Sequence, residues 1–73
     1  MESTTLVVRQ LKDWDTAERI RRLLDGEQGV ARVLVRPDRG EVYVKHSRAR
    51  APRHRLLERL EGEGYEARLK SST

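Results

Sequence analysis

Asp13 and Asp15 stand two residues apart in the polar run Lys12-Asp13-Trp14-Asp15, and Glu63 sits between Gly62 and Gly64 near the far end of the chain. Carboxylate oxygens are hard ligands, so these three suit a weakly held divalent cation such as Mg²⁺, Ca²⁺ or Mn²⁺. No EF-hand spacing is present. The competing reading makes Asp15 a helix cap and leaves the other two solvated. A second group is Arg53-His54-Arg55, just after Pro52. Proline suits the first turn of a helix. Cations placed there oppose the helix dipole, and such a helix start suits an anion, either a phosphate or a partner's carboxylate. The competing reading is a solvated charge run. His46 and His54 are eight residues apart, which matches no helical pair, so both read as surface residues. The chain has no cysteine, no Ser-His-Asp arrangement and no glycine-rich phosphate loop. It therefore reads as a non-enzyme, with no cofactor beyond that weakly bound cation.

The elements that must position these groups follow from periodicity. Residues 4–9 form a short run rich in Thr, Leu and Val, the pattern of a strand. Asp15-Thr16-Ala17-Glu18 reads as a capping box, with Asp15 as the cap and Glu18 reaching back. Ala17, Ile20, Leu23 and Leu24 then share one helical face, and Gly26 is placed to end the helix. Residues 30–36 and 41–45 read as strands joined by the turn Pro37-Asp38-Arg39-Gly40. Leu56, Leu57 and Leu60 give a second helix its apolar stripe, Gly62 and Gly64 stop it, and residues 65–69 close as a strand. The order is βαββαβ. Right-handed crossovers turn it into an α+β, ferredoxin-like sandwich: a four-stranded antiparallel sheet with both helices on one face.

Alternation assigns Leu6, Val8, Val33, Val35, Val42, Val44, Ala67 and Leu69 to the covered face. Val7, Leu34 and Tyr43 fall on the open face, with Arg9, Arg32 and Arg36 around them. That patch is an expected partner-binding surface, and Arg53 and Arg55 at the second helix start are further expected partner contacts. The occupant is an acidic protein or a nucleic acid, and one aromatic is too few for a base-stacking platform, which favours the protein. The same topology collects Asp13, Asp15, Asp38, Glu61 and Glu63 at one end. It collects Lys45, His46, Arg48, Arg50, Arg53, His54 and Arg55 at the other.

Seventy-three residues allow one domain, spanning 1–73, with residues 70–73 as a frayed tail. Sixteen basic against 12 acidic residues leave a net charge of +4, a mild excess that fits either an Arg- and Glu-rich surface or a basic binding surface. No apolar run reaches the length of a membrane span or of a signal-peptide core. The expectation is a cytoplasmic domain without membrane insertion.

Four stretches resemble the heavy-metal-associated domain, the small metallochaperone-like module of copper and zinc transport. Leu6-Val7-Val8 resembles its first strand. Gly29-Val30-Ala31-Arg32-Val33-Leu34-Val35 is similar to its Gly-Val-x-x-Val-x-Val, and Gly40-Glu41-Val42-Tyr43-Val44 to its Gly-x-Val-x-Val. Leu60-Glu61-Gly62-Glu63-Gly64-Tyr65-Glu66-Ala67 resembles its closing Ile-x-x-x-Gly-Tyr-x-Ala. The family's Gly-Met-x-Cys-x-x-Cys falls on Gln10-Leu11-Lys12-Asp13-Trp14-Asp15-Thr16, so Asp13 and Thr16 stand where the resemblance places the two thiolates.

The resemblance implies a role in metal transport or homeostasis, either as a stand-alone protein or as the amino-terminal domain of a metal-transporting P-type ATPase. It also implies a degenerate member. Cu(I) requires thiolate or thioether ligands. Regulatory contact with a protein, such as a metal-transport ATPase, is then the expected mode of action. Trp14, beside the missing thiols, is expected to pack as a lid over the core next to Leu11. Tyr65 falls near the metal loop and is expected to serve packing. The alternative is an RNA-recognition-motif-like module, which shares the βαββαβ plan. Leu6-Val7-Val8-Arg9-Gln10-Leu11 and Arg39-Gly40-Glu41-Val42-Tyr43-Val44 echo its two motifs, with Tyr43 alone placed to stack on a base.

Overall fold

A computed structural model describes residues 1–72. Its elements run β1 (Glu2–Val8), α1 (Trp14–Asp25), β2 (Val30–Arg36), β3 (Glu41–His46), α2 (Arg53–Gly62) and β4 (Ala67–Ser72). The strands form one antiparallel sheet in the order β2-β3-β1-β4, with the helices layered on one face, which is the expected ferredoxin-like sandwich. β2 and β3 pair as a hairpin, with Leu34 opposite Tyr43 and Val35 opposite Val42. Gly40 closes their turn at φ +66°, a conformation that a side chain would strain.

The core lies between sheet and helices. Leu6, Val8, Val33, Val42 and Val44 from the sheet meet Ala17, Ile20 and Leu24 of α1 and Leu56 and Leu60 of α2. Leu11 and Ala51 enter from the loops and are equally buried. Burial of this kind, at roughly 25 cal/mol per Å² of apolar surface, is what holds so short a chain together.

α1 begins two positions earlier than a cap at Asp15 requires. Asp13 is the N-cap, in extended conformation, and its Oδ1 accepts from the Thr16 amide at 2.7 Å. Asp15 lies inside the first turn. Glu18 does not reach back to the cap. Its carboxylate accepts from Arg21 and Arg22, one turn further on, at 2.6 and 3.2 Å. Gly26 ends the helix in right-handed conformation, φ −78°, so no left-handed cap is needed there.

Three other expectations fail for identifiable reasons. Lys70 to Ser72 is strand: β4 pairs with β1 through Ser71 and Ser72, after a register shift that leaves Lys70 unpaired in the ladder. Leu69 pairs with the buried Leu6 yet is 42% exposed, because β4 is an edge strand. His46 is fully buried. Its Nδ1 lies 2.5 Å from the Ala51 carbonyl, which can only accept, so that nitrogen carries the proton. Its Nε2 faces the Thr4 hydroxyl at 2.7 Å, with a Glu2 carboxylate oxygen 3.9 Å away. Both strands alternate, so His46 and Thr4 point inward with Val44 and Leu6.

Candidate functional site

Three loops meet at the end of the sheet where the family carries its metal: residues 9–13, the β2–β3 turn and residues 63–66. The Val8 amide donates to the Gly40 carbonyl at 2.8 Å, and the Arg9 amide to the Glu66 carbonyl at 2.9 Å. Gln10 locks the first loop to the third. Its Nε2 donates to the Gly64 carbonyl at 3.1 Å, and its Oε1 accepts from the Glu66 amide at 2.8 Å. Sequence reasoning missed this clamp. Its one signal is a side chain with both a donor and an acceptor in a loop whose neighbours need both.

The positions of the two family thiolates are bonded to each other. Besides the amide bond already described, the Thr16 hydroxyl also serves the Asp13 carboxylate, and Arg19 adds a smaller attraction. Together these hold Asp13 below the ordinary carboxylate range, the amide bond being the largest cause. The Asp13 carboxylate is thus engaged as a cap. Asp15 is exposed in the first turn of α1. Glu63 is at the end of α2, beside a groove of about 510 Å³ between the helices that is also lined by Arg19, Arg22 and Arg59. Among the described residues, no three His, Asp or Glu side chains gather closely enough to hold a metal ion. The end is also less acidic than expected, since Arg9 pairs with Glu66 at 2.9 Å. Trp14 does not pack as a lid. It is 74% exposed at the first residue of α1, while Leu11 alone plugs the core there. Tyr65 is half-buried against the core, as packing requires.

The open sheet face has a different character. Leu34 and Tyr43 are cross-strand neighbours, and with Thr5, Arg36 and Glu41 they line a shallow depression of about 270 Å³. The Tyr43 hydroxyl is held by Ser3 Oγ at 3.0 Å. Val7 is set apart from this pair. It lies opposite Glu41 on one side and Arg68 on the other, where Lys70 crosses β1 to bond Glu41. That bond lowers the Glu41 pKa, with smaller help from Arg39 and Arg36.

Register puts Arg32, Arg36, Lys45 and Arg68 on this face with Glu41, and Lys70 reaches it by its bond to Glu41, an excess of four positive charges that equals the formal charge of the whole chain. Among the described residues, Arg32, Arg36, Lys45 and Arg68 form no ion pair. Arg53 and Arg55 are exposed at the start of α2, in the helical layer, and so do not share this surface. The first turn of α2 contains no acidic residue, and Pro52 offers it no side-chain cap.

The fold is that of small metal-handling domains. A copper-binding domain from HMA7, a P-type ATPase, superposes with a TM-score of 0.93 at 17% identity, over 99% of this chain and 97% of that one. The N-terminal domain of a potential copper-translocating P-type ATPase from Bacillus subtilis, in its Cu(I)-loaded state, gives 0.90 at 25% identity, over 99% and 90%. Oxidized MerP from Ralstonia metallidurans CH34 gives 0.89 at 18%, over 97% and 100%. No protein-family model and no curated protein matches the sequence. Among the described residues, no helix is long and apolar enough to cross a membrane.

Proposed function

We propose that this chain is a non-enzymatic, heavy-metal-associated-like domain of metal homeostasis that has lost its soft-metal site and acts through regulatory protein contact. It stands alone or forms the amino-terminal part of a metal-transporting P-type ATPase, on the cytoplasmic side. The observation that carries this reading is a superposition on a copper-binding ATPase domain at a TM-score of 0.93, combined with an Asp13–Thr16 helix cap at the two thiolate positions. A carboxylate and a hydroxyl are hard oxygen groups, and Cu(I) is a soft ion that selects sulfur. In this reading the carboxylate of Asp13 serves as a helix cap, and neither it nor Asp15 and Glu63 sustains more than weak cation binding. The same frame holds the loop in place without metal, through Gln10 and the cap. The partner is then a protein of metal transport, met through surface contacts.

A competition titration against a strong Cu(I) chelator tests this. The protein as it stands is expected to surrender all copper. The D13C/T16C variant, which restores two thiols in the family frame, is expected to retain one equivalent. One-to-one retention by the unaltered protein would sink the proposal.

A further inference from the structure

The two edges of the sheet are not equally protected. On β4, the register shift at Lys70 interrupts the ladder, and Lys70 is drawn inward across the sheet to Glu41. A bulge of this kind twists an edge away from further pairing. On β2 the irregularity falls early, between Val30 and Arg32. From Arg32 to Arg36 the strand is regular and paired on its inner side to β3, and among the described residues no strand pairs with its outer side. Its open-face side chains read Arg32, Leu34, Arg36, a cation, an exposed aliphatic and a cation at period two. Leu34 is 39% exposed and borders the depression against Tyr43.

We propose that the β2 edge is a strand-addition site for an extended acidic protein segment carrying the pattern acidic–x–apolar–x–acidic. An added strand places every second side chain on the same face as its neighbour. Directly opposed residues then come within about 4.5–5.5 Å of each other. Acidic groups would meet Arg32 and Arg36, and the apolar group would meet Leu34 above the depression. Backbone hydrogen bonds to the free edge supply the affinity, and the charge–apolar–charge order supplies the register. The intervening side chains turn toward Val33 and Val35 at the rim of the core, where Thr or Val fits.

A nucleic acid fits less well. Among the described residues Tyr43 is the one aromatic in the strands, its hydroxyl is engaged by Ser3, and the Glu41 carboxylate lines the same depression and repels phosphate. A second copy of this chain also fits poorly, since it would bring another excess of positive charge onto this one. The proposal deepens the protein-contact reading above. Its test does not involve copper, so the two fail separately.

The test is an NMR titration with the synthetic peptide Glu-Thr-Val-Thr-Glu, its charge-reversed form Lys-Thr-Val-Thr-Lys, and single-stranded oligouridylate. The acidic peptide is expected to shift residues 32–36 and to protect outward-facing amides of β2 from hydrogen exchange. Replacing both cations, R32E/R36E, is expected to weaken that peptide by more than about tenfold and to turn preference toward the lysine peptide, because like charges in direct opposition repel. Both residues are exposed, so the variant keeps its fold. Shifts centred on Arg53 and Arg55, or unchanged affinity in R32E/R36E, would mean attraction to net charge alone and overturn the proposal. Tighter oligouridylate binding that is lost in Tyr43→Ala would make the face a nucleic-acid surface instead. Absence of any response would leave Arg32 and Arg36 as charges that merely guard a bare edge against aggregation.

Discussion

The two ends of the sheet are tied by different kinds of bond. At the end that carries metal in the family fold, the ties are at the surface: the Gln10 clamp, the Asp13 cap and the Arg9–Glu66 pair are all solvent-exposed. At the opposite end the tie is in the interior. His46 is fully buried, and its ring joins β3 to Ala51, another fully buried residue, just before α2. Gly29 closes in from the β2 side at φ +96°, where an added methyl would meet the Arg50 side chain at 2.6 Å. Water can replace a lost partner at the first end and cannot at the second. One end of the fold therefore tolerates exchange of its functional residues, while the other is fixed by packing.

The largest test of that contrast is His46→Ala. It removes a buried ring, strands the Ala51 carbonyl and takes a partner from the Thr4 hydroxyl. Cavity and unsatisfied-group costs together give an expected loss of about 2–4 kcal/mol. Urea denaturation measures it. A loss below about 1 kcal/mol, the scale of an exposed hydrogen bond, would erase the distinction between the two ends.

The contrast was only half visible in the sequence. The βαββαβ order and the bounds of β2 were legible, because turn residues and period-two alternation carry them directly. Asp15 reads as the cap because it opens a Ser/Thr/Asp-x-x-Glu pattern. Asp13 lies three residues before Thr16 and competes for the same helix start, and only backbone geometry separates the two. His46 reads as a surface residue, since histidine type carries no burial signal. Its place on the inward phase of β3, continuing Val42 and Val44, was the clue. Trp14 failed in the opposite direction. Leu11 is the side chain buried below the loop, and the Trp14 ring stays 74% exposed at the helix start. Glu63 and the two aspartates looked convergent from topology alone, but helix α2 carries Glu63 toward the groove lined by arginines.

A smaller effect is expected from Gln10→Ala. The clamp makes two hydrogen bonds to the backbone of residues 64–66, and both are exposed. Water restores most of what is lost, so the cost is about 0.5–1.5 kcal/mol. Hydrogen exchange is the sharper measurement. The Glu66 amide should lose protection while amides around His46 keep theirs. Equal loss at both ends would mean that the ends are coupled and that the surface clamp holds more than its own loops.

The smallest effect, and the one with a pH signature, belongs to Asp13. Its folded-state pKa lies below the ordinary carboxylate value, chiefly because the Thr16 amide donates to the carboxylate. A depressed carboxylate contributes stability above its unfolded pKa and loses it as pH falls through the folded value. Glu18, drawn down to about 2 by Arg21 and Arg22, and Glu41, drawn down by Lys70, titrate in the same direction. The acid unfolding curve of the protein alone therefore does not isolate Asp13. The difference between variants does. Asp13→Ala removes the cap at neutral pH and should lower Tm measurably. Asp13→Asn retains a good capping oxygen without charge and should fall between the two. As pH falls through that lowered folded-state value, protonation removes the charge from Asp13 in the unaltered protein, and the Asp13→Ala deficit should shrink while the Asp13→Asn difference closes. Thermal melts of the three proteins across that range decide it. A deficit that stays constant with pH would show that the Asp13 charge adds nothing to the cap, and a neutral residue would serve equally well there.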